Sequence, residues 1–152
     1  MIIGIWRGGA SIAIAVQEYF AYLGIEIRHD SIKAASYVGI DEQHSTVRVN
    51  GTRCVADSIC AGDQILLVDD VFDTGRTALA VKDALHQALE MDVSSTIQIA
   101  CPWYKPDRRE VDLRPDFYLY ETSQWLVFPH ELLGLNEGEL KSKRDHNQSA
   151  TL

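Results

Sequence analysis

Cysteines, basic residues and long apolar runs are all scarce in this sequence. The three cysteines, Cys54, Cys60 and Cys101, are odd in number and lack the spacing of metal ligands. No basic-then-apolar signal segment opens the chain, so we expect a reduced, cytoplasmic protein. The apolar runs are far shorter than the roughly 20 residues that a membrane span requires, and we therefore expect no membrane-spanning segment.

The charge balance is acidic. The chain has 14 Lys and Arg against 22 Asp and Glu, which gives a formal net charge of -8. This balance disfavours a general surface for the phosphate backbone of a nucleic acid, although it leaves room for a local cationic pocket. We expect a small-molecule partner and no nucleic acid.

The hydrophobic pattern predicts a single α/β domain. The chain has 152 residues, of which 46% are hydrophobic, enough for one core. Alternating strand and helix patterns call for an open, mostly parallel sheet with helices on both faces, whose ligands lie at the carboxyl ends of the strands. The predicted strands are residues 1–6, 25–29, 64–68, 96–104, 116–121 and 124–128, and the predicted helices are 10–24, 77–91 and one that starts at 129.

Two further local signals complete this prediction. Asn50-Gly51, between alternating residues, predicts a hairpin and a small antiparallel arm. Ser11 is the expected start signal and Gly24 the expected stop signal of the first helix.

Acidic and small polar residues follow the buried strand at 64–68. Asp69 and Asp70 come directly after it, and the segment 73–77 (Asp-Thr-Gly-Arg-Thr, here called the 73–77 turn) leads into a helix. Adjacent carboxylates repel unless a cation or a polyhydroxyl ligand satisfies them. The 73–77 turn directs backbone N–H groups and two hydroxyls to one point beside a positive helix end, which is suited to phosphate. Together the two features fit a ribose phosphate.

Structural explanations compete with a ligand site. Asp73 or Thr74 could be an ordinary helix N-cap, and the acid pair Asp69 and Asp70 could be a solvated strand end. The combination of both features favours the ligand. Two other motifs do not fit, because the DDxxD pattern of terpene synthases lies on helices and the GxxxxGK[ST] loop of P-loop NTPases is missing.

The segment "LLVDDVFDTGRT" resembles the phosphoribosyl-pyrophosphate (PRPP) signature of the type I phosphoribosyltransferases throughout its core. The resemblance implies that Asp69 and Asp70 hold the ribose hydroxyls. It implies that magnesium is the cofactor and that Asp69 and Asp70 belong to the magnesium site. It also implies a 5′-phosphate site made of Asp73, Thr74, Gly75, Arg76 and Thr77.

Two more segments resemble this family. Arg7 and Gly8 match the pair that binds pyrophosphate after the first strand, where a glycine permits close approach of an anion. A Gly-Gly turn before a helix is also a common structural feature. Ser36 and Tyr37 match the Ser-Tyr pair of the catalytic loop that closes over PRPP and excludes water in the purine enzymes. A tyrosine packed under a hairpin is the alternative.

Lys105 and Trp125 match the base-recognising residues of the 6-oxopurine enzymes. Lysine only donates hydrogen bonds, so it favours a 6-oxo group and penalises the 6-amino group of adenine. Trp125 would stack on the base, with the backbone of Leu126 near the base edge. A solvated Lys105 and a core Trp125 are the alternatives. Glu131 is expected near a second metal or, alternatively, as a first-turn helix acid.

The resemblance predicts a purine-salvage enzyme that transfers phosphoribose from PRPP to hypoxanthine, guanine or xanthine. Asp73 is expected to stabilise the cationic ribose and to act as general base. We expect a homodimer or homotetramer. The predicted domain covers residues 1–138, with a small hood mainly at 102–131, and a polar, frayed tail covers 139–152.

The sequence departs from the family at its start, because members usually carry a helix before the first core strand and here the strand begins at Met1. Either a neighbouring subunit covers the exposed face, or the recorded start is late, or the chain is a shortened relative with altered activity. Two functional alternatives remain. One is a phosphoribosyltransferase for adenine, orotate or uracil, and the other is a non-catalytic regulator that binds PRPP or a nucleotide.

Overall fold

The computed structural model describes residues 1–37, 46–89, 97–128 and 138. These residues form, in chain order, β1 (Ile2–Trp6), α1 (Gly8–Tyr22), β2 (His29–Tyr37), β3 (Thr46–Asn50), α2 (Thr52–Ser58), β4 (Ile65–Val68), β5 (Val71–Phe72), α3 (Arg76–Leu89), β6 (Ile97–Tyr104), a 3-10 turn (Pro106–Arg108) and β7 (Phe117–Glu121). None of the helices in these ranges is long and apolar enough to cross a bilayer.

One sheet contains all seven of the strands found in the described residues. Its order is β3-β2-β1-β4-β6, and β5 and β7 both pair with β6. Every pairing is parallel except that of β2 with β3. This open, mostly parallel sheet confirms the predicted fold class. Its carboxyl edge carries the loops that follow β1, β4 and β6, where ligands of such sheets bind.

Apolar residues cover both faces of the sheet. Consecutive strand residues point to opposite faces, so Ile2 and Ile3 belong to separate clusters. Ile2 packs with Ala13 of α1, whereas Ile3 belongs to the cluster that contains Val55 of α2 and Val81 of α3. Helix α1 therefore covers one face and α2 and α3 the other, which is why the strands read as continuous apolar runs.

The predicted helices at 10–24 and 77–91 are confirmed, with a different start for the first. In α3 the predicted face is buried through Ala78, Val81 and Leu85. Helix α1 begins at Gly8, three positions before the predicted start signal Ser11. The Ser11 hydroxyl donates to the carbonyl of Gly8 at 2.9 Å inside the first turn, so it supports the turn without beginning it.

Two strand predictions were wrong in position. Strand β2 begins at His29, not Ile25, because its partner β1 begins at Ile2 and Ile2 pairs with His29. The Asn50-Gly51 hairpin does not form. Gly51 has a φ of +85° and precedes α2, which buries Val55 against the core. The antiparallel arm exists as β2 paired with β3, and its connection lies in 38–45, outside the described residues.

The predicted strand at 124–128 was also wrong, because this segment has no strand structure. Strand β7 ends at Glu121, which pairs with Tyr104, the last residue of β6. Beyond that point the described residues offer no neighbouring strand to continue the ladder. The predicted helix start at 129 and the tail at 139–152 lie outside the described residues, and the domain and hood boundaries stay predictions.

Candidate active site

A cleft of about 220 Å³ lies at the carboxyl edge of the sheet. It forms there because β1 and β4 are parallel neighbours, with Gly4 opposite Val68, so the loops that follow both strands meet. The cleft brings together residues from three sequence-predicted groups. It is lined by Ile5, Trp6, Arg7, Gly8, Ala34, Asp69, Asp70 and Thr77.

Gly8 and Asp70 are in such close contact that no side chain fits at residue 8. A Cβ atom added to Gly8 would lie 2.1 Å from Oδ2 of Asp70. Asp70 is only 7% exposed, so the acid pair is not the solvated strand end that the sequence left open. The loop after β1 therefore packs directly on the carboxylate that follows β4.

Asp69 is the acid whose charge is most disfavoured. Burial raises the pKa of Asp69 well above its ordinary value, and the neighbouring charge of Asp70 raises it further. Backbone N–H groups act in the opposite direction, since the amide of Asp70 donates to Oδ1 of Asp69 at 3.0 Å and Gly9 also contributes. A bound cation or a ligand hydroxyl beside the acid pair would relieve this cost.

The 73–77 turn lies between β5 and the 14-residue helix α3. Thr77, in the first turn of that helix, faces the cleft. The Thr74 hydroxyl accepts from the Arg76 amide at 3.4 Å, so Thr74 supports the start of α3, as in the structural alternative for this residue. Amides at the start of a helix beside the cleft are suited to an anion.

The residues after β6 fasten the 73–77 turn from outside. We call residues 105–111 the strap. The Glu110 amide donates to the carbonyl of Thr74 at 3.0 Å, and Val111 packs so close to Gly75 that a Cβ there would lie 2.5 Å from it. Glu110 also forms an ion pair of 2.5 Å with Arg76. The Arg76 side chain is thus already engaged by a carboxylate.

Lys105 is buried beside Asp73 and Trp125. It is 3% exposed, its amide donates to the carbonyl of Phe72 at 2.9 Å, and its Nζ lies 3.4 Å from Oδ2 of Asp73. The same Nζ lies 5.5 Å from the centre of the Trp125 ring, in a cation–π contact. Lys105 is therefore not a solvated loop lysine.

Trp125 is not a core residue. It is 77% exposed, although its ring lies against the buried Lys105 ammonium group. An exposed aromatic face beside a fixed donor and a carboxylate is suited to a planar, polar ring. Leu126, the next residue, is half-buried.

Arg108 is a site residue that the sequence analysis missed. Its Nε lies 2.9 Å from Oδ1 of Asp73, on the carboxylate that also meets Lys105. Arg108 ends the 3-10 turn that begins directly after Lys105. In a turn of three residues per repeat, positions three apart lie on one side.

Ser36 and Tyr37 occupy the last two positions of β2, where their backbones pair with Val47 and Thr46. The rest of the predicted catalytic loop, residues 38–41, lies outside the described residues, as does Glu131. The roles of these residues stay predictions. In the described ranges no group of three or more His, Cys, Asp and Glu is arranged to hold a metal ion.

Comparisons with known proteins agree on one family. A model of the phosphoribosyl transferase domain matches residues 1–132. The hypoxanthine-guanine phosphoribosyltransferase of Lactococcus lactis subsp. lactis (strain IL1403) is 26% identical over 117 residues, 77% of this chain and 58% of that protein. The enzyme of the same name from Streptococcus pyogenes serotype M3 is 25% identical over 120 residues, 79% of this chain and 61% of that protein. The chain spans less than two thirds of the length of these relatives.

Solved structures give the same answer for the fold. The purine phosphoribosyltransferase of Pyrococcus horikoshii Ot3 matches with a TM-score of 0.61 and 28% identity, over 90% of this chain and 79% of that chain. The xanthine-guanine-hypoxanthine phosphoribosyltransferase of Helicobacter pylori matches with a TM-score of 0.65 over 95% of this chain and 80% of that chain. Its identity of 18% supports the fold alone. From the match over residues 1–132, the chain belongs to the phosphoribosyl transferase domain family.

Proposed function

We propose that this protein transfers the 5-phosphoribosyl group of PRPP to a 6-oxopurine base, hypoxanthine, guanine or xanthine. The products are a nucleoside monophosphate and pyrophosphate, a purine-salvage reaction. One observation carries the proposal: a single cleft joins Arg7 and Gly8 with the acid pair and Thr77. The names of the hypoxanthine-guanine relatives support the choice of base.

The PRPP end of the site would be held by three loops. The ribose hydroxyls would donate to Asp69 and Asp70, which relieves the repulsion between the two carboxyls. The 5′-phosphate would accept from backbone N–H groups of the 73–77 turn at the start of α3. The pyrophosphate would lie against Arg7 and Gly8, which both line the cleft, and Arg7 would supply positive charge there.

The base would lie between Trp125 and Asp73. Stacking on the exposed Trp125 ring would contribute about 1–3 kcal/mol. The Lys105 ammonium, 3% exposed and fixed beside that ring, would donate to the 6-oxo group. Adenine presents an amino group there, and the unmatched pair of donors would cost roughly 1–3 kcal/mol.

Asp73 is our candidate for the chemical step. As the C1′–O bond breaks, its electron pair leaves with pyrophosphate and the ribose becomes cationic. A fixed carboxylate near that ring stabilises the developing charge. When a base nitrogen bonds to C1′, the imidazole N–H proton of the base would pass to Asp73, which returns it to solvent. Ser36 and Tyr37 would belong to the loop that excludes water from this cation.

Magnesium is the proposed cofactor, and Asp69 and Asp70 would hold it together with substrate oxygens. Two adjacent carboxylates suit an ion that keeps most of its ligands from water and phosphate, as Mg²⁺ does. When bound, the ion would neutralise charge on the departing pyrophosphate. Glu131 is a further proposed ligand and lies outside the described residues.

We further propose that the active species is a homodimer or homotetramer in the cytoplasm. Exposed apolar side chains on α1 support self-association, since Ile14 is 63% and Tyr22 is 85% exposed. Light scattering coupled to size exclusion would measure the mass directly. A purely monomeric profile at micromolar concentration would contradict the oligomer.

Pyrophosphate release tests the function. The chain is mixed with PRPP and magnesium and then with hypoxanthine, guanine, xanthine, adenine, orotate or uracil in turn. We expect release with one or more of the three oxopurines and little with the others. Release only with adenine, orotate or uracil would overturn the base assignment. PRPP binding by calorimetry without any release would instead support a non-catalytic binding protein.

A further inference from the structure

Asp73 meets two cations in unequal ways. Lys105 Nζ donates to Oδ2 at 3.4 Å. Arg108 Nε lies 2.9 Å from Oδ1, but this contact lacks hydrogen-bond geometry. Oδ1 is buried. Because the Arg108 contact is not a hydrogen bond, Oδ1 accepts no hydrogen bond from the part of the chain that the structure describes.

A buried carboxylate oxygen without a donor is costly, and a native structure rarely keeps one unless a ligand supplies the donor. The other carboxylate oxygen of Asp73, Oδ2, accepts from the Lys105 ammonium. A flat ligand stacked on Trp125 and held by Lys105 would present its edge to this carboxylate. A ring N–H on that edge would give Oδ1 the hydrogen bond that it lacks.

The two cations also differ in their freedom to move. The Lys105 side chain is 3% exposed and is enclosed between Asp73 and Trp125. The Arg108 side chain is 49% exposed, so its guanidinium group exchanges the carboxylate for water at small cost. Of the two cations that contact Asp73, Arg108 is therefore the one that can move away from the carboxylate into solvent.

We infer that Arg108 is a displaceable partner of Asp73: its guanidinium group lies against Oδ1, and the N–H group of the incoming base expels it. The inference rests on the proposed function and assigns a positioning and affinity-setting role to a residue outside the PRPP signature. Arg108 competes with the base for one oxygen, so it lowers base affinity and leaves the chemical step unchanged.

Steady-state kinetics of Arg108→Gln, Arg108→Lys and Arg109→Gln test this role at saturating PRPP. For R108Q we expect KM for the base to fall about two- to fivefold, the size of effect of a partly exposed ion pair, with kcat within about twofold of the unmodified chain. R108K keeps the charge and should restore most of the original KM. Arg109, the exposed neighbour, is the matched control and should behave like the unmodified chain.

The outcomes separate this inference from the proposed function. If the unmodified chain turns over an oxopurine while R108Q has an unchanged or higher KM for the base, Arg108 is not a competitor and only the inference fails. A parallel fall in kcat would assign Arg108 to the chemical step and also overturn it. No turnover of any purine by the unmodified chain would overturn the proposed function and the inference together.

Discussion

At the scale of single residues, the candidate site depends on contacts between groups distant in sequence. Gly8 touches Asp70, and Lys105 touches Asp73, across 62 and 32 positions of the chain. The charge of Asp69 is disfavoured by burial and by the neighbouring Asp70 carboxylate, which together raise the pKa of Asp69. Such a site gains stability when a ligand supplies cations or hydroxyl donors, because ligand binding to the folded state adds to the free energy of unfolding.

Gly8→Ala should abolish tight PRPP binding. Its Cβ would lie 2.1 Å from Asp70 Oδ2, so the loop or the acid must move. We expect a loss of stability of about 1–3 kcal/mol from overpacking, together with loss of PRPP heat in calorimetry. Gly24→Ala is the matched control, because it has open space and a φ of +76°. That variant should lose about 1 kcal/mol from left-handed strain and keep PRPP binding.

Asp73→Asn should separate chemistry from binding. Loss of the negative charge removes both the stabilisation of the cationic ribose and the proton acceptor, so kcat should fall by about 10²–10⁴-fold. PRPP affinity should change only a few fold, because Asp73 is not among the residues that line the cleft proposed to hold the sugar phosphate. Asp57→Asn, on an exposed helical pair with Arg53, is the control. Unchanged kcat in D73N would remove Asp73 from the mechanism.

At the scale of elements, local sequence patterns predicted the features that depend on residues close in the chain, such as the buried face of a helix. The buried face of α3 follows from its period, and the apolar runs of β1, β4 and β6 follow from burial on both faces. Strand ends were harder to predict. The ends of β2 and β7 depend on where β1 and β6 offer partners, and among the described residues no strand pairs with the segment 124–128.

The strap shows why part of the site escaped sequence analysis. Arg108 and Glu110 lie in an ordinary-looking charged loop, and their spacing alone does not point to Asp73 or Arg76. Their contacts exist because β6 is the parallel neighbour of β4 and β5, which brings the two following loops together. The PRPP motif was found because its residues are contiguous.

Cysteine reactivity tests how deeply β6 lies in the sheet. Cys101 is 4% exposed, and burial raises the pKa of its thiol to about 12, so its thiolate is scarce at pH 8. Cys54 and Cys60 are exposed. We expect a disulfide-exchange reagent at pH 8 to label two thiols quickly and the third only after denaturation. A chain carrying Cys54→Ser and Cys60→Ser should stay unlabelled while folded, and rapid labelling would contradict the buried placement.

At the scale of the whole molecule, the ion pair between Arg28 and Asp63, here called the clip, lies at the opposite ends of the strands from the candidate site. Arg28, just before β2, donates to both carboxylate oxygens of Asp63, just before β4, at 2.6 and 2.5 Å. The Cys60 amide also donates to Asp63 at 2.7 Å. This clip joins the amino ends of two strands, far from the loops of the candidate site.

The clip predicts a pH-dependent stability. The Cys60 amide, followed by Arg28, lowers the pKa of Asp63 below its ordinary value of 3.8. A carboxyl group whose pKa is lower in the folded state than in the unfolded state stabilises the folded state above pH 3.8. This contribution is lost as the pH falls through the pKa of the folded state. Asp63→Asn should therefore lower Tm by a few degrees at pH 7.

In acid the Tm values of Asp63→Asn and the unmodified chain should converge. Asp57→Asn is the control and should leave Tm unchanged, because its pair with Arg53 is exposed. The kinetic parameters of D63N at 25 °C should match those of the unmodified chain. A constant Tm difference between D63N and the unmodified chain at all pH values would show that the charge of Asp63 is not the cause.

The sequence by itself determined the class of sheet, the faces of the helices and the contiguous acid and phosphate motif, because each depends on residues close in the chain. Only the tertiary structure decided that Lys105 is buried, that Trp125 is exposed, and that Arg108 reaches Asp73. These properties depend on which strands become neighbours. Strand order is set by the packing of the whole sheet, so no local pattern contains it.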